Sequence, residues 1–176
     1  VGTLRSMLAE LVDPSNRDTV TLLVLRFASL EFERAVLFLV TRRAHVGLGG
    51  FSQEEPSDKF VTRVRRIKIP VDVESVFSKV VRFRAVYRGP LDRVEGNEQL
   101  IQGLGGEWPA GSIIAMPLIS SDRVAAILYG DNPSGRELGP TDTLEIFLQQ
   151  AGLAMDRMLL ERKLEEARRR QKDSEH

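Results

Sequence analysis

The chain has 176 residues, of which 42% are hydrophobic and 28% charged, as expected for one globular domain with a substantial core. Its 25 lysines and arginines balance 25 aspartates and glutamates, which argues against a protein whose main task is to grip nucleic acid. The absence of cysteine excludes disulfides, thiol nucleophiles and thiolate zinc sites, and the only histidines, His45 and His176, are too few for a histidine-rich metal site.

No apolar run approaches the roughly 18–20 residues that span a bilayer, and no signal peptide is visible. The first residue is Val1 rather than methionine, which fits a piece excised from a longer protein. We therefore expect a cytoplasmic chain without cofactor or metal, with no nucleic-acid or membrane partner.

Apolar residues at helical spacing predict two helices at the start of the chain, within residues 3–31. The first, at about 3–12, has a stripe formed by Leu4, Met7, Leu8 and Leu11. The second, at about 17–31, is capped by Ser15 or Asn16 and has a stripe formed by Val20, Leu23, Val24, Phe27 and Leu30.

Short strands and helices are expected in the middle of the chain. RAVLFLVTR at 34–42 predicts a strand, and a second strand around 43–48 should end at the glycines of GLGG (47–50). Strands are also expected at 66–71 and 84–90. A helix capped by Asp72 should separate them, with an apolar stripe of Val73, Val76, Phe77, Val80 and Val81. Another short helix is expected near 97–104.

The stretch SIIAMPLISSDRVAAILYGD (112–131) predicts a hairpin, because two apolar runs flank the turn-forming sequence SSDR. Pro117 has no amide hydrogen to donate, so its strand should be at an edge of the sheet, or bulged, at that point.

One long helix, at 141–170, is expected to follow, with a polar tail at 171–176. Its first apolar stripe should dock on the domain and consists of Leu144, Phe147, Leu148, Ala151, Met155 and Met158. The second follows the steps of 4 and 3 residues typical of a coiled-coil seam and contains Ile146, Leu153, Leu160 and Leu164, with Gln150 and Arg157 interrupting it. A helix that is apolar on two sides must bury both, so we expect the second stripe to contact a second copy of the chain or the helix at 3–12.

This order of elements predicts an α+β domain, residues 1–170. A central antiparallel sheet of about five or six strands should have the terminal helices on one face and short helices and loops on the other. The order, and the strings RAVLFLV, IKIPVDVESVFSKVV, RAVYRGPL and SIIAMPLISSDRVAAILYGD, resemble the bacterial GAF domain, a PAS-like sensory fold.

The resemblance implies a ligand pocket between the sheet and the middle helices, where Phe77, Tyr87, Trp108 and Met116 could line one cavity or simply fill the core. Several known activities of the family are missing. Bilin attachment and methionine-sulfoxide reduction both need cysteine, and the Asn-Lys-Phe-Asp-Glu set of cyclic-nucleotide-binding members is not found.

Other candidate sites have simpler explanations. GLGG lacks the Lys-Ser/Thr of a phosphate loop, so a flexible strand exit is expected. A lone His45 on a strand is expected to be exposed or hydrogen-bonded rather than a haem ligand. Three acids of one polar loop could hold a cation or act in acid–base catalysis, but solvated charge is commoner: Glu54, Glu55 and Asp58.

A basic region could hold an anion, a partner's acidic surface or nucleic acid, or form a solvated face paired with local acids. It consists of Arg63, Arg65, Arg66, Lys68, Arg82, Arg84 and Arg88.

The sequence thus predicts no catalytic residues. It indicates a non-enzymatic sensory or regulatory domain of a larger bacterial signalling protein, dimeric through its terminal helices and possessing a possible small-molecule pocket. The alternative is a ligand-free scaffold that only dimerises or docks a partner protein.

Overall fold

The computed structural model describes residues 17–175, and within that range it contains five helices and six strands. The helices are α1 (Arg17–Ala28), α2 (Ser57–Val64), α3 (Val76–Phe83), α4 (Glu95–Leu104) and α5 (Asp142–Ser174). The strands are β1 (Arg34–Val40), β2 (Ala44–Ser52), β3 (Lys68–Pro70), β4 (Tyr87–Gly89), β5 (Ile113–Ser120) and β6 (Arg123–Asp131). The expected helix at 3–12 lies outside the described residues.

The six strands form one sheet in the order β3-β2-β1-β6-β5-β4, with every neighbouring pair antiparallel. Two hydrophobic clusters lie on its opposite faces. The first cluster joins the sheet to α1 and α5, and the second cluster joins it to α2, α3 and α4. The predicted α+β architecture, with terminal helices on one face and short helices on the other, is confirmed.

The hairpin of β5 and β6 is present, and its register runs from Ile114 opposite Gly130 to Ser120 opposite Arg123. Its turn residues Ser121 and Asp122 have φ angles of 54° and 61°, the left-handed pair that suits the right-handed twist of a two-residue hairpin. Pro117 is at an edge, as predicted, because β4 pairs with β5 only at Ile113–Ala115.

The expected end of β2 at its glycines is wrong, since the strand continues through GLGG to Ser52. A Cβ atom at Gly47 would lie 2.1 Å from the carbonyl oxygen of Val64, so the missing side chain lets α2 lie directly against the strand. These glycines therefore serve close packing rather than a flexible exit.

Two helix boundaries also differ from expectation. Ser75, not Asp72, caps α3, because its side chain accepts the amide of Ser78 while the Ser78 hydroxyl accepts the amide of Ser75. At the other end of the chain, α5 continues to Ser174, so most of the tail expected at 171–176 is helical. From Leu159 to Glu175 every residue is exposed, which means that α5 leaves the domain after Met158.

Candidate functional site

The second face of the sheet, beneath α2, α3 and α4, is where the resemblance placed a ligand pocket. Phe77 lies at its centre, fully buried, with its ring centroid 4.5 Å from that of Phe38 and 5.5 Å from that of His45. Tyr87 and Trp108 are partly buried at the margin of the same cluster. Met116 packs in the first cluster, so the sheet separates it from the other three residues.

Neighbouring residues of β5 alternate between the two faces of the sheet, and Met116 is on the face opposite to α3. Met116 therefore cannot share one cavity with Phe77. Tyr87 and Trp108 have partners of their own: the Tyr87 hydroxyl donates to the carbonyl of Pro90, and the Arg93 guanidinium lies 4.4 Å from the Trp108 ring centroid.

A small cavity lies beside α3 and the start of α4, bordered by Ser75, Tyr87, Asp92 and Asn97. Its volume is about 10 Å³, which suits roughly one water molecule. Asn97 closes this region: its Oδ1 accepts the amide of Val76 at 2.8 Å and its Nδ2 donates to the carbonyl of Asp92 at 2.9 Å. This part of the second face is filled by the protein itself.

His45 departs from expectation, since it is neither exposed nor hydrogen-bonded. It is 1% exposed and faces the ring of Phe77, and neither ring nitrogen has a hydrogen-bond partner in the structure. Burial lowers its pKa to about 4, so the imidazole is neutral near pH 7. The alternation of side chains along β2 could have predicted that His45 faces inward. It could not have predicted that α3 covers this residue.

A buried charged network, which the sequence did not reveal, lies where β1 begins and β6 ends. Arg34 donates to both carboxylate oxygens of Asp131, at 2.8 and 2.6 Å, and the Tyr129 hydroxyl donates to Asp131 Oδ2 at 2.6 Å. Asp131 is 0% exposed. Because the register of β1 and β6 sets Arg34 opposite Asp131, the sheet itself brings these charges together.

The network alters the pKa values of two of its members. Burial alone would lower the pKa of Arg34, but the hydrogen bonds and charge of Asp131 outweigh it and raise the value. Burial, followed by the charge of Asp131, raises the pKa of Tyr129 well above its usual 10. Arg34 therefore stays charged and Tyr129 stays neutral near neutral pH, and their hydrogen bonds to Asp131 hold the start of β1 against the end of β6.

One ion pair, between Glu55 and Arg63, joins the acidic residues to the basic region, and Asp58 belongs to α2 rather than to a loop. Arg63 makes two bonds to the carboxylate of Glu55, at 2.6 and 2.7 Å, and Nε also donates to the carbonyl of Gly103. These bonds lower the pKa of Glu55. Arg84 pairs with Asp122, and Arg88 donates to the carbonyls of Leu138 and Gly139. Across residues 17–175, no three potential ligands cluster as a metal site would require.

The second stripe of α5 exposes four large apolar side chains along one side of the helix. The exposed fractions are 50% for Ile146, 56% for Leu153, 59% for Leu160 and 51% for Leu164. On the opposite side of α5, the predicted docking stripe packs on the first cluster: Leu144, Phe147, Leu148 and Ala151 are buried, and Met155 and Met158 partly so. Residues 17–175 of this protomer therefore leave the second stripe uncovered.

A groove of about 560 Å³ runs beside this stripe, along the edge of β5 that β4 leaves unpaired. Its apolar lining includes Val86, Ile119 and Leu153. None of the helices described between residues 17 and 175 has the length and apolar composition required to cross a membrane.

Comparison with known proteins found no matching family model and no matching curated protein. Among solved structures, residues 122 to 287 of a methyl-accepting chemotaxis protein align at 18% identity, with a TM-score of 0.68 over 91% of this chain and 99% of that one. A GAF domain/HD domain protein from Geobacter sulfurreducens aligns at 15% identity, TM-score 0.63, over 87% and 98%. The GAF-B domain of DevS from Mycobacterium smegmatis aligns at 24% identity, TM-score 0.60, over 85% and 99%.

These identities establish a shared fold and not a shared ligand. The six-stranded antiparallel sheet, the terminal helices on one face and the short helices on the other agree with the resemblance seen in the sequence. The chain has the fold of a GAF domain.

Proposed function

We propose that this chain is a non-enzymatic sensory or regulatory domain of a larger bacterial signalling protein, and that it works as a homodimer held by its terminal helices. The observation that carries the proposal is the exposed stripe of Ile146, Leu153, Leu160 and Leu164 on a helix whose other side is already packed. Neighbours of the same fold include domains of a chemotaxis protein and of a GAF/HD protein, which supports a regulatory role.

The length of α5 suggests how such a domain would pass on a signal. The helix begins on the sheet and continues beyond the domain as far as Ser174. A shift of the domain against α5 would therefore move the projecting half. A ligand or partner would drive that shift only by binding one arrangement more tightly than the other.

A ligand-free scaffold is the second candidate, and the filling of the second face favours it. The rings of Phe77, Phe38 and His45 pack together there, and the cavity near Tyr87 has a volume of only about 10 Å³. A small organic ligand needs a cavity of roughly 300 Å³ or more, so binding beneath the middle helices would require them to move.

Thermal unfolding with a panel of nucleotides and metabolites separates the two candidates. A compound that binds the native state must raise the midpoint, by an amount that grows with its concentration. The ligand-sensing form gains support from such a compound, whereas a dimer that no compound stabilises favours the scaffold.

The dimer itself is tested by replacing Leu153 and Leu160 together with glutamate and measuring mass by light scattering. We expect a folded monomer, because both side chains are exposed in the protomer and charged groups cannot be buried without partners. Phe83→Glu is the control, since Phe83 is 67% exposed but lies on α3. A wild-type chain that is already monomeric would refute this part of the proposal.

A further inference from the structure

The charges beside the exposed stripe of α5 distinguish between two ways of pairing the helix. In heptad terms the d positions are Ile146, Leu153, Leu160 and Ala167, and the a positions are Gln150, Arg157 and Leu164. The flanking g positions hold Asp156, Lys163 and Arg170, and the flanking e positions hold Glu161, Arg168 and Glu175.

A parallel pair would bring like charges together. In that arrangement each g position faces the e position five residues later on the other helix. Asp156 would meet the partner's Glu161, and Lys163 would meet the partner's Arg168. Arg157, at an a position, would face its own copy across the seam. Only Arg170 and the partner's Glu175, at the end of the helix, would attract each other.

An antiparallel pair sets a positions against d positions, and g positions against g positions. When Leu153 lies opposite the partner's Leu164, Arg157 lies opposite the partner's Leu160, and Asp156 lies beside the partner's Lys163. Each of these contacts occurs twice by symmetry. Asp156 already accepts bonds from the Ser120 hydroxyl and the Ser121 amide, but both use Oδ1, which leaves Oδ2 for the lysine.

The two neighbouring antiparallel registers bring like charges together. Sliding one helix by a heptad in one direction places Asp156 beside the partner's Asp156. Sliding it in the other direction places Lys163 beside the partner's Lys163 and Glu161 beside the partner's Glu161. Among these three registers, only the one that pairs Leu153 with Leu164 avoids like-charge contacts at these flanking positions.

The fold also suits this register. Since α5 leaves its domain after Met158, the projecting half of each helix would lie along the half of the other helix that is held on the sheet. The partner's Leu164 would then enter the groove lined by Val86, Ile119 and Leu153. In this way the apolar residues of the projecting half gain a surface that their own domain does not offer them.

We propose that two copies of this chain pair antiparallel along α5, in the register that joins Leu153 of each copy to Leu164 of the other. This inference rests on the homodimer proposed above and adds its geometry. The occupant of the groove beside Leu153 is then the projecting helix of a second copy.

Disulfide trapping tests the register directly, because the chain has no cysteine of its own. The double variant Leu153→Cys/Leu164→Cys should form a covalent dimer under mild oxidation. Either single variant should not, because like positions would be 11 residues apart along the helices, about 16 Å, whereas a disulfide needs Cα atoms within roughly 7 Å. Within one helix the same separation prevents bridging.

The possible outcomes distinguish a wrong register from the absence of a dimer. Efficient trapping by Leu164→Cys alone would indicate a parallel seam and overturn the inference, and so would a stable dimer that no variant traps. A wild-type chain that light scattering shows to be monomeric would instead remove the dimer on which the inference rests.

Charge reversal at Lys163 is an independent test, because it should change the dimer dissociation constant in opposite directions for the two arrangements. In the antiparallel register, Lys163→Glu faces the partner's Asp156, so the dimer dissociation constant should rise several-fold at low salt. In a parallel pair the same change would face the partner's Arg168 and lower it. Arg162→Glu, on the same exposed half of α5 but outside the seam, is the control.

Discussion

Burial among hydrocarbon and aromatic side chains disfavours the protonated form of His45. His45 is neutral when folded because burial lowers its pKa to about 4, whereas in the unfolded chain it titrates near 6.5. Between these values the unfolded state binds more protons than the folded state. The contribution to stability is therefore complete above about pH 6.5 and is lost as the pH falls towards 4.

The unfolding free energy should thus fall by about 1 kcal/mol between pH 7.5 and 5.5 on account of His45 alone. Urea titrations of the wild type and of His45→Leu, a variant without the ionisable group, measure this contribution as the difference between their pH curves. The window avoids Glu33 and Glu55, whose pKa values are lowered from 4.5 and which act at lower pH. Parallel curves would mean that His45 titrates normally in the fold.

The buried pair of Arg34 and Asp131 should be costly to break at one member. Asp131→Asn removes the charge that balances a guanidinium inside the domain, and we expect a loss of about 3–5 kcal/mol in the free energy of unfolding. The matched control is Asp92→Asn, which removes an acid from an exposed pair with Lys79 at 3.5 Å and should cost at most about 1 kcal/mol. Equal losses in urea unfolding would contradict the structural role of the network.

At the scale of elements, α5 packs closely on β5 because Gly152 has no side chain. A Cβ atom at Gly152 would lie 2.1 Å from the carbonyl oxygen of Ile119, a backbone atom that cannot turn aside. Gly152→Ala should therefore lift the helix from the strand and destabilise the domain by about 1–3 kcal/mol, outweighing the better helix propensity of alanine.

Gly111→Ala is the control for this change, because no atom outside the adjacent residues lies within 4 Å of the Cβ position there. It should be neutral or slightly stabilising in thermal unfolding. If Gly152→Ala were equally harmless, α5 would not be held tightly on β5.

Much of the element order could be predicted from the sequence because it depends on local patterns. The alternation and turn residues of 112–131 predicted the hairpin, and the apolar spacing of α5 predicted which side docks on the sheet. The continuation of β2 through Gly47 was missed, since turn propensity is local whereas the approach of Val64 is a tertiary contact.

The contents of the second face were less predictable for the same reason. Arg34 and Asp131 are 97 residues apart, and only the pairing of β1 with β6 makes them neighbours. Met116 was grouped with Phe77 by residue type, yet the pleat of β5 turns it towards α5. Which side chains meet beneath a helix depends on register, and register is not visible in one sequence.

At the scale of the whole molecule, folding and pairing should be separable. The residues from Leu160 to Glu175 are all exposed in the protomer, so the domain does not need them for its own core. They include Leu160 and Leu164, half of the exposed stripe through which we expect two copies to associate.

A chain ending at Leu159 should therefore remain folded but lose the dimer. Its thermal midpoint should be independent of protein concentration, whereas that of the full chain should rise with concentration, because association stabilises only the folded state. A chain ending at Arg170 keeps both leucines and is the matched control, which should behave like the full protein. If the chain ending at Leu159 stayed dimeric by light scattering, the interface would lie elsewhere on the domain and the projecting half of α5 would be free to contact another partner.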